Sequence, residues 1–293
     1  MINNPILNLK NGFPNGMEWT QSNITSGLFA YVYNANGIWV ACCTNTNSGL
    51  FYSTDGKTWT KSNVTSDSFK HVYCANGIWV AAGKGLYYST DGKKWTKSNV
   101  TANMDLAYCI NGIWVAGGKS LYYSTDGKTW TQSNVTDNVR AYSICNANGI
   151  WIATLDTGAY YSTDGKTWTK SDVNLGYVYN SNGLWIGNVM NVGLYYSTDG
   201  KTWTKSNNAP SFIDQFYNAN GIWVGGSYSA GKGLYYSTDG KTWTQSNVTN
   251  VSCESNAYYA NGIWVAVTNK GLYYSVSWEE DGGSSGGSTT ISL

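Results

Sequence analysis

Charge is scarce in this chain. Only 12% of its 293 residues are Asp, Glu, Lys or Arg, and the formal net charge is +1 with no basic run. Binding to nucleic acid needs a basic patch or stripe, so no nucleic-acid partner is expected. Long apolar runs are also missing. No stretch approaches the ~18 residues of a membrane-spanning helix, so no membrane insertion is expected. The first ten residues lack a basic region followed by an apolar one and do not read as a secretory leader. There is one histidine, His71, one arginine, Arg140, and four glutamates: Glu18, Glu254, Glu279 and Glu280. A single histidine excludes a multi-His metal centre, and neither a metal nor another cofactor is expected.

What is abundant is glycine (34), tyrosine (24) and tryptophan (15), with much Asn, Thr and Ser. Tyr, Trp and Thr favour strands, while Gly and Asn favour tight turns. Three signals repeat. Asn-Gly-(Ile/Leu)-Trp-(Val/Ile) starts at Asn36, Asn76, Asn111, Asn148, Asn182, Asn220 and Asn261, at spacings of 34 to 41 residues. A Leu-Tyr-Tyr-Ser type ends at Ser53, Ser89, Ser124, Ser162, Ser197, Ser237 and Ser275. Trp-Thr-(Lys/Gln)-Ser-(Asn/Asp) starts at Trp19, Trp59, Trp95, Trp130, Trp168, Trp203 and Trp243. Each occurs seven times, at about the length of a four-stranded blade. The expected fold is all-β: a seven-bladed β-propeller of four-stranded antiparallel blades over residues 16–276. An N-terminal extension (1–15) and a Gly/Ser-rich tail (277–293) flank it.

The phase of the signals predicts how the ring closes. The first Trp-Thr signal precedes every other element, and the last Leu-Tyr-Tyr-Ser has no Trp-Thr strand after it. Residues 17–23 are therefore expected to complete the last blade as its outer strand, which removes open edges. In the first blade the strands are expected near 28–34, 37–43, 49–54 and 58–63. The second is apolar on both faces, as suits a strand between neighbouring blades. Asp-Gly between the last two is a strong hairpin signal. The cysteines are Cys42, Cys43, Cys74, Cys109, Cys145 and Cys253. Cys74 and Cys109 share a repeat position, so they read as stacked, free, buried small hydrophobes. That reading points to synthesis in a reducing cytoplasm, with a virion or extracellular location after release.

The segment Ser53-Thr54-Asp55-Gly56-Lys57-Thr58-Trp59 resembles the Asp-box, or bacterial neuraminidase repeat, shortened by one residue. It recurs from Ser89, Ser124, Ser162, Ser197 and Ser237. The resemblance implies that Asp55, Asp91, Asp126, Asp164, Asp199 and Asp239 are structural turn residues at the blade periphery. It implies no single function, because that family includes sialidases, other glycoside hydrolases, assembly factors, receptors and lectin-like modules. A sialidase-like site needs three arginines to clamp a carboxylate, and this chain has one. Other glycosidases need two carboxylates about 5–9.5 Å apart. Asp105 and Asp214 share a repeat position in blades roughly opposite each other, too far apart for that. Ser–His–Asp chemistry would rest on His71 alone. No enzyme activity is expected.

The repeats also locate the variable positions. The two turn types, Asn-Gly and Asp-Gly, are nearly constant, whereas the b–c and d–a connections vary and lie together at the other end of each blade. Rigid scaffolds carry their sites on such loops. The candidate ligand-binding residues on that face are Lys70, His71, Asp105, Arg140, Tyr142, Asp156, Asp214, Gln215, Tyr228 and Glu254. Low charge with abundant Asn and Tyr suits a carbohydrate or another cell-surface receptor as the partner. A phage tail or virion appendage is the expected setting, with the termini docking other virion proteins. A structural scaffold role in the particle is the alternative, and an atypical glycoside hydrolase a further one.

Overall fold

The computed structural model describes residues 21–24, 26–45, 49–136, 140–211, 213–227, 232–253, 257–260 and 263–276. They form six four-stranded antiparallel sheets and a seventh of three strands. The first sheet runs Phe29–Ala35, Ile38–Cys43, Leu50–Ser53 and Thr60–Lys61, in that spatial order. The inner strands of the others are Phe69–Ala75, Met104–Ile110, Ala141–Ala147, Val178–Ser181, Ile213–Ala219 and Tyr258–Ala260. The first two strands join through Asn36-Gly37, both at positive φ (51° and 74°), the conformation of a two-residue hairpin turn. Asparagine accepts that region better than most residues, which is why the same pair recurs at each such turn.

The outer strand is shorter than expected, Thr60–Lys61 rather than 58–63. The Asp-Gly turn occupies the residues before it. Beyond it Ser62 N–H still bonds Leu50 O (2.8 Å), but the chain then turns toward the next sheet. There the Asn63 side chain clamps the backbone of Trp95: Nδ2 donates to Trp95 O (2.9 Å), and Oδ1 accepts from Trp95 N–H (2.8 Å). Asn99 clamps Trp130 and Asn134 clamps Trp168 in the same way. Asp172 stands at the next equivalent place. A carboxylate has no N–H to donate, and no such pair of bonds joins it to Trp203.

The core is divided into slabs, one between each pair of successive sheets. Alternate residues of each second strand feed two of them. Val40 and Cys42 join Val72, Trp79 and Ala81 between sheets one and two, while Val80 and Ala82 join Ala107 and Trp114 between sheets two and three. Equivalent slabs follow down to Trp264 and Ala266 against Ile222 and Val224 of sheet six. At each seam the branched residue after the Asn-Gly turn lies on the next Asp-Gly turn. A Cβ on Gly92 would come 3.0 Å from Ile38 Cγ2, so the sheets approach to backbone distance. All six cysteines are free, and five are buried, Cys145 being half-buried.

Closure of the ring is not seen in the described residues. Residues 17–20 lie outside them, as do the extension 1–15 and the tail 277–293, and residues 21–23 form no ladder with the last sheet. Asn23 nevertheless clamps Trp59 as Asn63 clamps Trp95, with Nδ2 to Trp59 O at 2.9 Å and Trp59 N–H to Oδ1 at 2.7 Å.

Candidate functional site

In each sheet the variable connections are tied to one another by backbone bonds, which places them at one end. Thr44 N–H bonds Leu28 O (2.8 Å), Lys119 N–H bonds Asn103 O (3.0 Å), Asp156 N–H bonds Arg140 O (3.1 Å) and Cys253 N–H bonds Ser227 O (2.8 Å). The Asn-Gly and Asp-Gly turns occupy the opposite end.

The inner strands carry a feature with no sequence signature. Each of five begins with a one-residue bulge. Phe69 pairs with Gly83 and His71 with Ala82, which leaves Lys70 unpaired. Ala30, Asp105, Tyr142 and Asp214 are skipped in the same way. A bulge re-aims the side chain of its extra residue. The extra residue falls at the variable end in each of these five sheets.

Four of these bulge residues, Ala30, Lys70, Asp105 and Tyr142, come from consecutive sheets and line a cleft of about 460 Å³. His71, Tyr108, Arg140 and Tyr177 also line it. Asp105 ties three sheets together: Oδ1 accepts from Lys70 Nζ at 2.5 Å, and Oδ2 accepts from Ala141 N–H at 3.1 Å. Asp156 braces the wall, accepting from Arg140 N–H at 2.9 Å and from the Tyr142 hydroxyl. The Tyr142 bond and the Arg140 N–H hold the Asp156 carboxyl below its ordinary range, and the same Tyr142 bond raises the phenol. The Arg140 guanidinium lies 5.6 Å from the Tyr142 ring centroid.

His71 forms part of the floor. Its ring sits between Tyr31 and Tyr108, at centroid distances of 4.4 and 4.7 Å. Burial pushes its pKa down to about 4, so the ring is neutral at pH 7. Nδ1 accepts a long bond from Ala107 N–H (3.5 Å), which assigns the proton to Nε2. That nitrogen is buried and has no partner among the described residues.

Six of the ten candidates therefore fall together: Lys70, His71, Asp105, Arg140 and Tyr142 on the cleft, with Asp156 bonded to its wall. Asp214 and Gln215 lie on Ile213–Ala219 of the sixth sheet, three sheets from Asp105. Tyr228 and Glu254 lie outside the described residues. Tyr31, Tyr108 and Tyr177 were not singled out from the sequence, because a tyrosine among 24 reads as core. Tyr31 and Tyr177 hold the repeat position of His71, and Tyr108 lies two residues beyond that position on its own strand; only this placement could have marked them.

The six aspartates of the Asp-Gly turns are at the far end from the cleft. Asp55 Oδ1 accepts from Lys57 and Thr58 N–H (both 2.8 Å) and from the Ser53 hydroxyl (2.8 Å). With Thr58 N–H the largest influence, these bonds hold its carboxyl at about 2. At Asp91, Asp126, Asp164, Asp199 and Asp239 partial burial pushes upward, but the same bonds outweigh it and the carboxyls stay low.

No family model matches the chain, and neither does any curated protein. Solved structures do match. The computationally designed Ika8 protein aligns at a TM-score of 0.63 and 9% identity, over 85% of this chain and 83% of that one. YCF48 bound to D1 peptide aligns at 0.52 and 15% identity, over 89% and 94%. The Niastella koreensis GH74 enzyme aligns at 0.51 and 21% identity, over 85% of this chain and 43% of the enzyme. At these identities the likeness concerns fold alone. It identifies the repeated sheets as the blades of a β-propeller, six complete and a seventh in part.

Proposed function

We propose that this is a non-catalytic binding propeller that recognises carbohydrate, or another cell-surface receptor, in the cleft along its first four inner strands. The observation that carries the reading is convergence: four bulge residues from consecutive blades, exposed Tyr142 among them, with exposed Tyr177 beside them. Rings of this kind stack on sugar faces, and the polar groups between them bond hydroxyls. Support for a non-catalytic role comes from how the titratable groups are used. Asp105 and Asp156 hold neighbouring backbone, and His71 is buried between two rings. The reading takes the three-stranded seventh sheet as a blade completed by residues 17–23, in a closed seven-bladed ring, and the Asn23 clamp on Trp59 favours it.

A glycan array probed with the full chain and with Tyr142→Ala tests it. Hits that disappear in the variant are expected. An array with no hits at millimolar ligand, or hits indifferent to Tyr142, overturns it. The proposed setting, a phage tail or virion appendage, is tested separately by looking for the chain in purified particles.

A further inference from the structure

We infer that the cleft is built to take an oxyanion, a carboxylate, sulfate or phosphate group carried by the ligand, against Arg140 and Lys70. The inference rests on the cleft being the binding site and goes on to name the chemistry it selects.

The charged groups of the cleft are unequally committed. Each oxygen of Asp105 already accepts a bond, one from Lys70 and one from Ala141 N–H. Each oxygen of Asp156 does too, from Tyr142 and from Arg140 N–H. The Tyr142 hydroxyl is spent on Asp156. The donors are far less committed. An ammonium has three N–H bonds, of which Lys70 gives one to Asp105. A guanidinium has five, and among the described residues no carboxylate lies within 4.0 Å of Arg140. Arg140 is exposed at the cleft rim, its plane near the Tyr142 ring. In the floor, His71 is 6% exposed and its Nε2–H has no acceptor. A buried donor without a partner is uncommon and costly. The cleft thus holds a guanidinium with no carboxylate partner and an ammonium with two uncommitted N–H bonds, while each carboxylate oxygen already accepts one bond.

A neutral polyol presents hydroxyls that both donate and accept, and makes no use of a guanidinium's charge. An oxyanion only accepts, and a guanidinium pairs with one through two parallel bonds. Two cations and two carboxylates cancel in net charge, so the long-range field is small. The preference must therefore come from short contacts, with only a modest dependence on salt.

Inorganic phosphate tests the anion site without assuming a sugar. Thermal melting of the full chain is compared in phosphate and in chloride at equal ionic strength. Phosphate at about ten times its dissociation constant is expected to raise the melting temperature by about 2–4 °C. Arg140→Gln should remove most of that rise and Lys70→Gln part of it. An equal rise in wild type and Arg140→Gln would be general exclusion of phosphate from protein surface and overturns the inference. No rise in wild type overturns it as well. Oligogalacturonate and its neutral methyl ester then separate the two readings. Preference for the acid by tenfold or more, lost in Arg140→Gln, supports both. Equal binding of acid and ester keeps the carbohydrate reading and removes the anion site. Arg140-dependent phosphate binding with neither sugar bound keeps the anion site and removes carbohydrate.

Discussion

The seam between the first and second sheets and the seam between the seventh and first are built from the same repeat, yet only one is sealed. At the first, Val72 is 0% and Trp79 1% exposed, covered by Val40, Cys42 and Ile38. At the second, the equivalent Val32 is 51% and Trp39 38% exposed. The face that would cover them, Ile263 and Val265 of the last sheet, is 39% exposed at both residues. Gly56 meets only its own sheet's Trp39, whereas Gly92 meets Ile38 of the sheet before it. Yet the Asn clamp is made on both sides, by Asn23 as by Asn63. The difference teaches that burial in a propeller is a property of neighbours: a blade cannot cover its own apolar faces.

Four sets of variants test the difference between the two seams. Trp79→Ala should cost about 3–5 kcal/mol, the loss for a buried tryptophan. Trp39→Ala should cost a small fraction of that if its seam is bare in solution, and a similar amount if the ring closes as proposed. Urea midpoints at unchanged slope read the difference. Next, His71 and Tyr31 hold the same bulge-adjacent position on the two sides. The folded pKa of His71, about 4, lies below its ordinary 6.5. Between those values the unfolded chain binds a proton that the folded chain refuses. Stability should therefore fall as pH drops from 6.5 to 4 and stay lost below. The loss is on the order of 3 kcal/mol. His71→Tyr, which copies the first sheet, should flatten that slope, and urea midpoints at pH 7, 5 and 4 of the two proteins, compared by difference, check it.

Third, Asn63→Ala unties Trp95 and should cost about 1–3 kcal/mol, since it leaves two backbone groups without partners. Asn23→Ala should cost a comparable amount only if the first sheet's clamp is kept as tightly in solution. Chemical denaturation of both variants decides. The smallest effect is a gain. Asp172→Asn supplies the missing amide before Trp203, which is half-buried where Trp95, Trp130 and Trp168 are 3–4% exposed. It should add about 0.5–1.5 kcal/mol, read as a rise in the melting temperature.

The repeat count, the turns and the sandwiched second strands were all legible in the residues. The Asn-Gly and Asp-Gly turns demand positive φ, and the alternation of Val80 and Ala82 with Trp79 and Ala81 announces two covered faces. The loops' shared end followed from antiparallel order. The bulges did not show, because Ala30, Lys70, Asp105 and Tyr142 have no chemistry in common, and only the partner strand's register makes them alike. Nor did the clamp, whose asparagine and tryptophan lie 31 to 36 residues apart. Candidates chosen for rarity fell in the cleft where they sat on bulges of adjacent sheets. Asp214 sits on an equivalent bulge in a distant one.

Asn-Gly-Ile-Trp-Val occurs unchanged at 36–40 and 76–80. The five residues by themselves determined the turn, the strand and its pairing, since these depend on backbone conformation and on partners close in the chain. They did not determine that one tryptophan is 38% exposed and the other 1%. The tertiary structure decided that, as it decided which bulge residues share a cleft. Water is excluded from a sheet face only by the sheet beside it, and what stands beside a blade is written elsewhere in the chain.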